Sequence, residues 1–203
     1  QAPLEERQIA AALAGTICAL SYLHDERNML HRDVKAANLL LTATGELRLA
    51  DFGVSATLSN TLSRRSTAIG TPHWMAPEVI VEGMYASAAD VWSLGITSIE
   101  LAEREPPLWE LKPALRALFR IPNAPPPRLK EPETWSSDFG DFVASCLLKE
   151  PAERLSAAQL SILPFITAVG SVEQQRALLE PLAHLRITSA GSLAHAQGAD
   201  SSS

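Results

Sequence analysis

The sequence predicts a mainly α-helical domain with small β-hairpins, and three observations carry that expectation. Ile9, Leu13, Ile17 and Leu20 recur at helical spacing through an Ala-rich segment. The stretch DVWSLGITSIELA, residues 90–102, is apolar almost all the way round, as befits a helix in the middle of a domain. Between the two, the Leu-rich runs 39–41 and 47–49 flank a Thr-Gly turn, the pattern of a short hairpin.

Taken in order, residues 4–24 read as one long amphipathic helix, with Pro3 suited to a first helical turn. The hairpin follows within NLLLTATGELRLADFG. Ser, Thr, Asn and Gly then dominate 55–71, a long loop of the kind that is usually functional or disordered. Asp90 heads the apolar helix, where an acidic residue can cap free amides. A shorter amphipathic helix is expected from Pro113, carrying Leu115, Leu118 and Phe119. The tract IPNAPPPRLKEPETW is not regular structure, because each proline removes a donor and fixes φ. Helical signals resume at 138–148 and 156–160. From Thr167 the character changes. SVEQQRALLEPLAHLRI reads as one helix interrupted or kinked at Pro181, and AGSLAHAQGADSSS as a small, polar, disordered end. There is no internal repeat.

The chain has 203 residues, enough for one domain with a hydrophobic core and some extra chain. Seventeen basic against 23 acidic residues leave a net charge of −6, which argues against nucleic acid as a partner held by a general basic face. Cys18 and Cys146 have no CxxC or Cys/His spacing, so they do not suggest zinc. They read as buried free thiols in a reducing, intracellular and cytoplasmic setting. No stretch approaches the ~20 apolar residues of a membrane span, and the start lacks the basic head and apolar run of a signal peptide.

Three short motifs carry the chemistry: HRDVKAAN at 31–38, DFG at 51–53 and APE at 76–78. Each is weak alone. In this order and spacing they resemble the C-terminal lobe of a eukaryotic protein kinase, over roughly residues 1–166. The fold implied is protein-kinase-like, with residues 167–203 as a C-terminal tail. The cofactors implied are ATP and Mg2+, and the partners are protein substrates and a kinase dimer for trans-autophosphorylation. Phosphoryl transfer needs alignment and charge stabilisation more than covalent work by the protein. Asp33 can accept or orient the substrate hydroxyl proton. Asn38 and Asp51 supply hard oxygen ligands suited to magnesium on the ATP phosphates. Lys35 is a point charge able to meet the γ-phosphate and marks, by resemblance, a serine/threonine kinase. Taken singly, Asp33 and Asp51 would more often be turn or capping carboxylates. It is the whole constellation that overrides that reading. His31 keeps a structural role, bracing the loop.

The resemblance assigns further positions. Arg32, next to Asp33, implies pairing with an activation-loop phosphate, and counting back from Ala76–Glu78 places the phosphosite at Thr67. Thr71 corresponds to the residue that contacts the catalytic Asp and Lys. Glu78 is expected to pair with Arg154 of PAERLSA, and Asp90 to hold the backbone of the catalytic loop. Leu40 matches the floor of the adenine pocket, and Ala50 precedes the DFG. Val54 goes with a preference for threonine as acceptor.

The stretches LSNTLSRRSTAIGTPHWMAPEVI, DVWSLGITSIELAE and PETWSSDFGDFVASCLLKEPAERLSAAQL are similar to the germinal-centre kinases of the sterile-twenty group, and nearest to its Hippo branch. The run ALRALFRIPNAPPPRLKEPETWS fits that branch, so the triple proline reads as an inter-helix loop rather than an SH3 ligand. Three places depart from the pattern: Ala37 where glycine is common, His73 where an aromatic is common, and Leu108-Trp109 where Tyr-Ala is expected. No Gly-rich loop, VAIK-like tetrad or hinge precedes His31, so the N-terminal lobe is expected to be absent from this chain, as is the branch's coiled coil. Such a chain alone would bind Mg·ATP weakly and turn over negligibly. The competing reading is a non-catalytic kinase-lobe fragment acting as a protein-binding module.

Overall fold

The computed structural model describes residues 3–51, 56–57 and 72–183. Helix α1 (Glu6–Ser21) forms where the apolar spacing places it, and Ile9, Leu13, Ile17 and Leu20 are all buried along its inner stripe. Each such side chain contributes about 1.5–3 kcal/mol by leaving water. A reciprocal capping box between Glu5 and Gln8 satisfies two amides at its start. The helix does not run on regularly to residue 24. It widens into a π-helical turn, Tyr22–Glu26, which carries His24 inward. Cys18, expected to be buried, is exposed because it falls beside the 9/13/17/20 stripe; Cys146 is buried.

After strand β1 (Met29–Leu30) and a 3₁₀ turn at Ala36–Asn38 comes the hairpin of β2 (Leu39–Leu41) and β3 (Leu47–Leu49). Leu39 pairs with Leu49, Leu40 with Arg48 and Leu41 with Leu47. Strand β4 (Ala56–Thr57) returns to pair antiparallel with β1. The rest is helical: α2 (Pro77–Glu82), α3 (Ser87–Glu103), α4 (Arg116–Arg120), α5 (Ser137–Cys146), α6 (Ala157–Leu160), α7 (Pro164–Thr167) and α8 (Val172–Leu179). Helix α4 begins three residues after Pro113, because Arg116 and Ala117 donate to carbonyls only three residues back and tighten that first turn out of α geometry.

Helix α3 is the axis of the domain. Every residue from 89 to 101 is buried, and the helix packs against both α1 and α5. The α3–α5 approach is close enough to require glycine at position 95. A Cβ there would lie 2.7 Å from the Cys146 Cβ and 2.8 Å from Leu147 side-chain carbons. Alanine would gain about 1 kcal/mol of helix propensity, but overpacking costs about 1–3 kcal/mol. The neighbours are a Cβ and a branch point that cannot swing away, so Gly95→Ala is expected to be net destabilising. A urea midpoint equal to or above the parent's would refute this.

Helix α8, outside the segment 1–166, lies along α1 and comes close to the β2–β3 turn. Gly45 in the β2–β3 turn has φ +73°, and a Cβ on it would stand 2.3 Å from the Arg176 carbonyl oxygen. Arg176 also lies 3.5 Å from Glu46. Leu179 and Leu182 are buried beneath α8 and the following 3₁₀ turn, Glu180–Leu182, which contains Pro181. Among the described residues, no helix is long and apolar enough to cross a membrane.

Candidate active site

The loop from His31 to Asn38 hangs from one carboxylate. Asp90 is fully buried near the start of α3. Its Oδ2 accepts the His31 amide at 2.9 Å, and its Oδ1 accepts the Arg32 amide at 2.8 Å. His24 Nε2 lies 2.8 Å from Oδ2, and the Tyr85 hydroxyl donates to Oδ1 at 3.2 Å. Four partners from three segments compensate a charge that would otherwise be costly to bury. Asp90 therefore does not cap its own helix, which starts three residues earlier at Ser87; its oxygens serve the loop. This anchoring also holds Arg32 at φ +70°, an unfavourable backbone region for that residue. Burial next to the Asp90 charge raises the Tyr85 phenol well above its ordinary pKa, so it stays a donor.

His31 braces the loop from the inside. Its ring donates from Nε2 to the Ala50 carbonyl at 3.0 Å, and Nδ1 accepts the Asp33 amide at 3.3 Å. That pair of bonds requires the neutral ring protonated at Nε2. Desolvation lowers the His31 pKa below the ordinary 6.5, against the opposing pull of Asp90.

Asp33, Lys35 and Asn38 converge. Asp33 Oδ2 accepts from Lys35 Nζ at 2.6 Å and from Asn38 Nδ2 at 3.0 Å. The same Asn38 amide donates to the Asp33 carbonyl at 2.7 Å. With its nitrogen so engaged, the Asn38 side chain has its oxygen available as a ligand. The hairpin register carries the other oxygen donor to the same place: Ala50 N–H donates to the Asn38 carbonyl at 2.8 Å, so Asp51 emerges from β3 beside Asn38. Asp51 is exposed, at φ +68°, with no ion pair or hydrogen bond among the described residues. One amide oxygen and one free carboxylate fit magnesium, which keeps waters and phosphates as its remaining ligands. Among the described residues there is no cluster of three or more His, Cys, Asp or Glu that would suit a dedicated metal cage.

Leu40 projects from the hairpin opposite Arg48 with 52% of its surface exposed, and Ala50, just after β3, is half-buried. Glu78 and Arg154 meet as expected, in a bidentate pair at 2.7 and 2.8 Å. Thr67, Thr71 and Val54 lie outside the described residues. The Arg32 Nε is buried and has no hydrogen-bond partner among the described residues, and its guanidinium lies over the Tyr85 ring.

Sequence reasoning missed three supports. His24 and Tyr85 complete the Asp90 shell, and nothing local in the sequence marks either. Glu100 is buried in α3, and its Oε2 accepts the Ala36 amide at 3.0 Å and the Trp74 indole at 2.9 Å. This ties the loop to the segment before α2. A second carboxylate, besides Asp90, within the apolar stretch of α3 was the available signal, since burying it demands partners. Two departures from the family pattern also prove to be neighbours: His73 and Trp109 sit with ring centroids 5.2 Å apart, and Trp74 closes the cluster.

His73 is buried, and its pKa is also lowered, by desolvation first and by Lys112 second. For both histidines the unfolded chain takes up protons first as the pH falls. Their contribution to stability is full above the ordinary 6.5. It is lost below that value until the folded pKa values are passed. Urea unfolding at pH 5.5 is therefore expected to show a lower midpoint than at pH 7.5, with the drop reduced in His73→Phe. An unchanged drop would remove His73 from this account.

This geometry gathers Asp33, Lys35 and Asn38 at one point on a helical scaffold, and the comparisons show the family that the chain belongs to. The protein kinase domain matches residues 1–166, and the chain belongs to that family. It is similar to the serine/threonine-protein kinase cst-1 of Caenorhabditis elegans, 46% identical over 198 residues, which cover 98% of this chain and 39% of that protein. Its counterpart in Caenorhabditis briggsae is 52% identical over 164 residues, covering 81% and 33%. Serine/threonine-protein kinase hippo of Drosophila melanogaster is 49% identical over 179 residues, covering 88% and 26%. The resemblance to the Hippo branch of the sterile-twenty group therefore holds. The chain spans two-fifths or less of the length of these relatives.

Proposed function

We propose that the chain is the C-terminal, helical lobe of a serine/threonine protein kinase that transfers the γ-phosphoryl group of ATP to protein hydroxyls. The observation that carries this reading is the convergence of Lys35 and Asn38 on one oxygen of Asp33, on a loop held by Asp90. Asp33 orients the substrate hydroxyl and takes its proton. Lys35 meets the γ-phosphate. Asn38 and Asp51 would hold Mg2+, which when bound offsets the charge of the phosphates. The outward face of Leu40 would lie against the adenine, with an N-terminal lobe covering the nucleotide. Phosphate on Thr67 would supply the anion that the buried Arg32 Nε lacks among the described residues, ordering the loop around Thr71.

The test uses the full-length protein that carries this chain, with labelled Mg·ATP and myelin basic protein. Label is expected on phosphoserine and phosphothreonine, abolished by EDTA, and in a peptide library on threonine above serine. Label on tyrosine, or none, would overturn the reading. Equal use of serine would remove only the threonine preference assigned to Val54.

A further inference from the structure

Residues 167–183 lie beyond the stretch that matches the protein kinase domain, yet they are built into the fold. The segment organises itself locally. Ser171 and Gln174 form a reciprocal capping box at the start of α8, and Glu180-Pro181 tightens its end into a 3₁₀ turn. Val169, Leu179 and Leu182 are buried, and the helix lies along α1. What α8 meets besides α1 is the β2–β3 turn. Gly45 is buried although it sits in a turn, and a Cβ there would stand 2.3 Å from the Arg176 carbonyl oxygen and 2.7 Å from the Glu180 amide nitrogen. The last turn of α8 therefore abuts the hairpin at backbone distance.

A hairpin with strands of three residues is marginal alone, so it takes its pose from what flanks it. On one flank Leu47 lies over Gly15 of α1, where a Cβ would be 3.0 Å from the Leu47 Cβ. At the turn the flank is α8. The turn itself is stiff. Thr42 N–H donates to the Glu46 carbonyl at 2.9 Å, Gly45 N–H to the Thr42 carbonyl at 3.0 Å, and Glu46 N–H to Thr42 Oγ1 at 3.0 Å. Three residue pairs then run to the open end, where Ala50 N–H meets the Asn38 carbonyl. Asn38 enters β2 and Asp51 follows β3 at that end. The turn held by α8 and the two oxygen donors are thus opposite ends of one short ladder.

We propose that residues 167–183 are a brace for the metal and nucleotide end of the site. By fixing the turn, α8 fixes the angle of the hairpin, and with it the placement of Asn38, Leu40 and Asp51 relative to Asp33. Leu179 and Leu182 are positioning residues that act through Gly45 and the strands, and they touch no reacting atom. The apolar anchors matter more than the Arg176–Glu46 contact, since exposed ion pairs contribute little. The inference rests on the kinase reading, because it needs Mg·ATP as the ligand at the open end of the hairpin.

The test uses the full-length protein that carries this chain and reads the coupling in both directions, which linkage requires to be equal. In the parent, saturating Mg·ATP is expected to slow hydrogen exchange of the α8 amides about fivefold or more. Calorimetry on Leu179→Asp/Leu182→Asp should show Mg·ATP bound about fivefold or more weakly. Leu179→Met/Leu182→Met, which keeps the anchors apolar, should retain parental affinity. Gly95→Ala loosens the fold between α3 and α5, away from the hairpin, and should also bind normally. Parental affinity in the Asp variant, or α8 exchange indifferent to Mg·ATP, would overturn the brace. An equal loss of affinity in Gly95→Ala would do the same, because it would trace the effect to general loosening. Where the Asp variant does not fold, the exchange measurement on the parent decides. A parent that binds no Mg·ATP would sink the kinase reading and this inference together. A parent that binds it without coupling to α8 removes the brace alone.

Discussion

Asp33→Asn in the full-length protein is expected to lower kcat by about 10²–10⁴-fold, the range by which a positioned proton acceptor accelerates transfer. The substitution is nearly isosteric. The asparagine oxygen can still accept from Lys35 Nζ and Asn38 Nδ2, the bonds that now converge on Asp33 Oδ2 at 2.6 and 3.0 Å. The loop is anchored separately, through the His31 and Arg32 amides on Asp90. Fold and nucleotide affinity should therefore survive while the proton acceptor is lost. Two measurements check this together: kcat on a peptide substrate, and the Kd of Mg·ATP by calorimetry. A variant that retains more than about a tenth of parental kcat would fall outside the expected range and remove Asp33 from its assigned role.

The largest effect on stability is expected at Arg154. Its guanidinium is fully buried and meets the Glu78 carboxylate in bidentate fashion at 2.7 and 2.8 Å. It also donates to the carbonyls of Leu148, Ala88 and Lys149, and lies over the Trp92 ring. Arg154→Met would leave a largely buried carboxylate and three carbonyls without their donor. Breaking a buried pair from one side costs about 3–5 kcal/mol, against a typical total stability of about 5–15 kcal/mol. The variant should unfold at a markedly lower urea concentration. Glu78→Leu combined with Arg154→Met should cost less than the sum of the two single changes, because the stranded charge is gone. A coupling below about 0.5 kcal/mol in that cycle would show that the pair acts as two independent side chains.

The loop proposed to carry the chemistry was legible because its residues are close together in sequence. Asp33, Lys35 and Asn38 fall within six residues, and the hairpin pattern that follows carries Asp51 back to Asn38 through one strand register. The Glu78–Arg154 pair, 76 residues apart, was legible only through resemblance, since neither local sequence names its partner. The same holds for Asp90 and the loop it supports. Where resemblance offered nothing, the reading missed: His24 needed the π-helical turn to reach Asp90, and Glu100 needed the fold to bring Ala36 and Trp74 to it.

The region after residue 166 shows the same division. Its helix was expected from the pattern of SVEQQRALL, which carries its own cap in Ser171 and Gln174. Its packing on α1, and the glycine contact at Gly45, could not be read from either segment alone. His73 and Trp109 looked like two unrelated departures from a pattern until the fold set their rings 5.2 Å apart.

Residue identity and spacing thus marked which side chains the proposed chemistry would use and which stretches are helix or hairpin, because periodicity, capping and turn preferences act over a few residues. The folded chain decided where those side chains point and what satisfies them. Burying Asp90, Glu100 and Arg154 demands partners at hydrogen-bond distance, and those partners lie up to 76 residues away. It likewise decided that Phe119 faces water while Ala117, two residues before it, is sealed in the core.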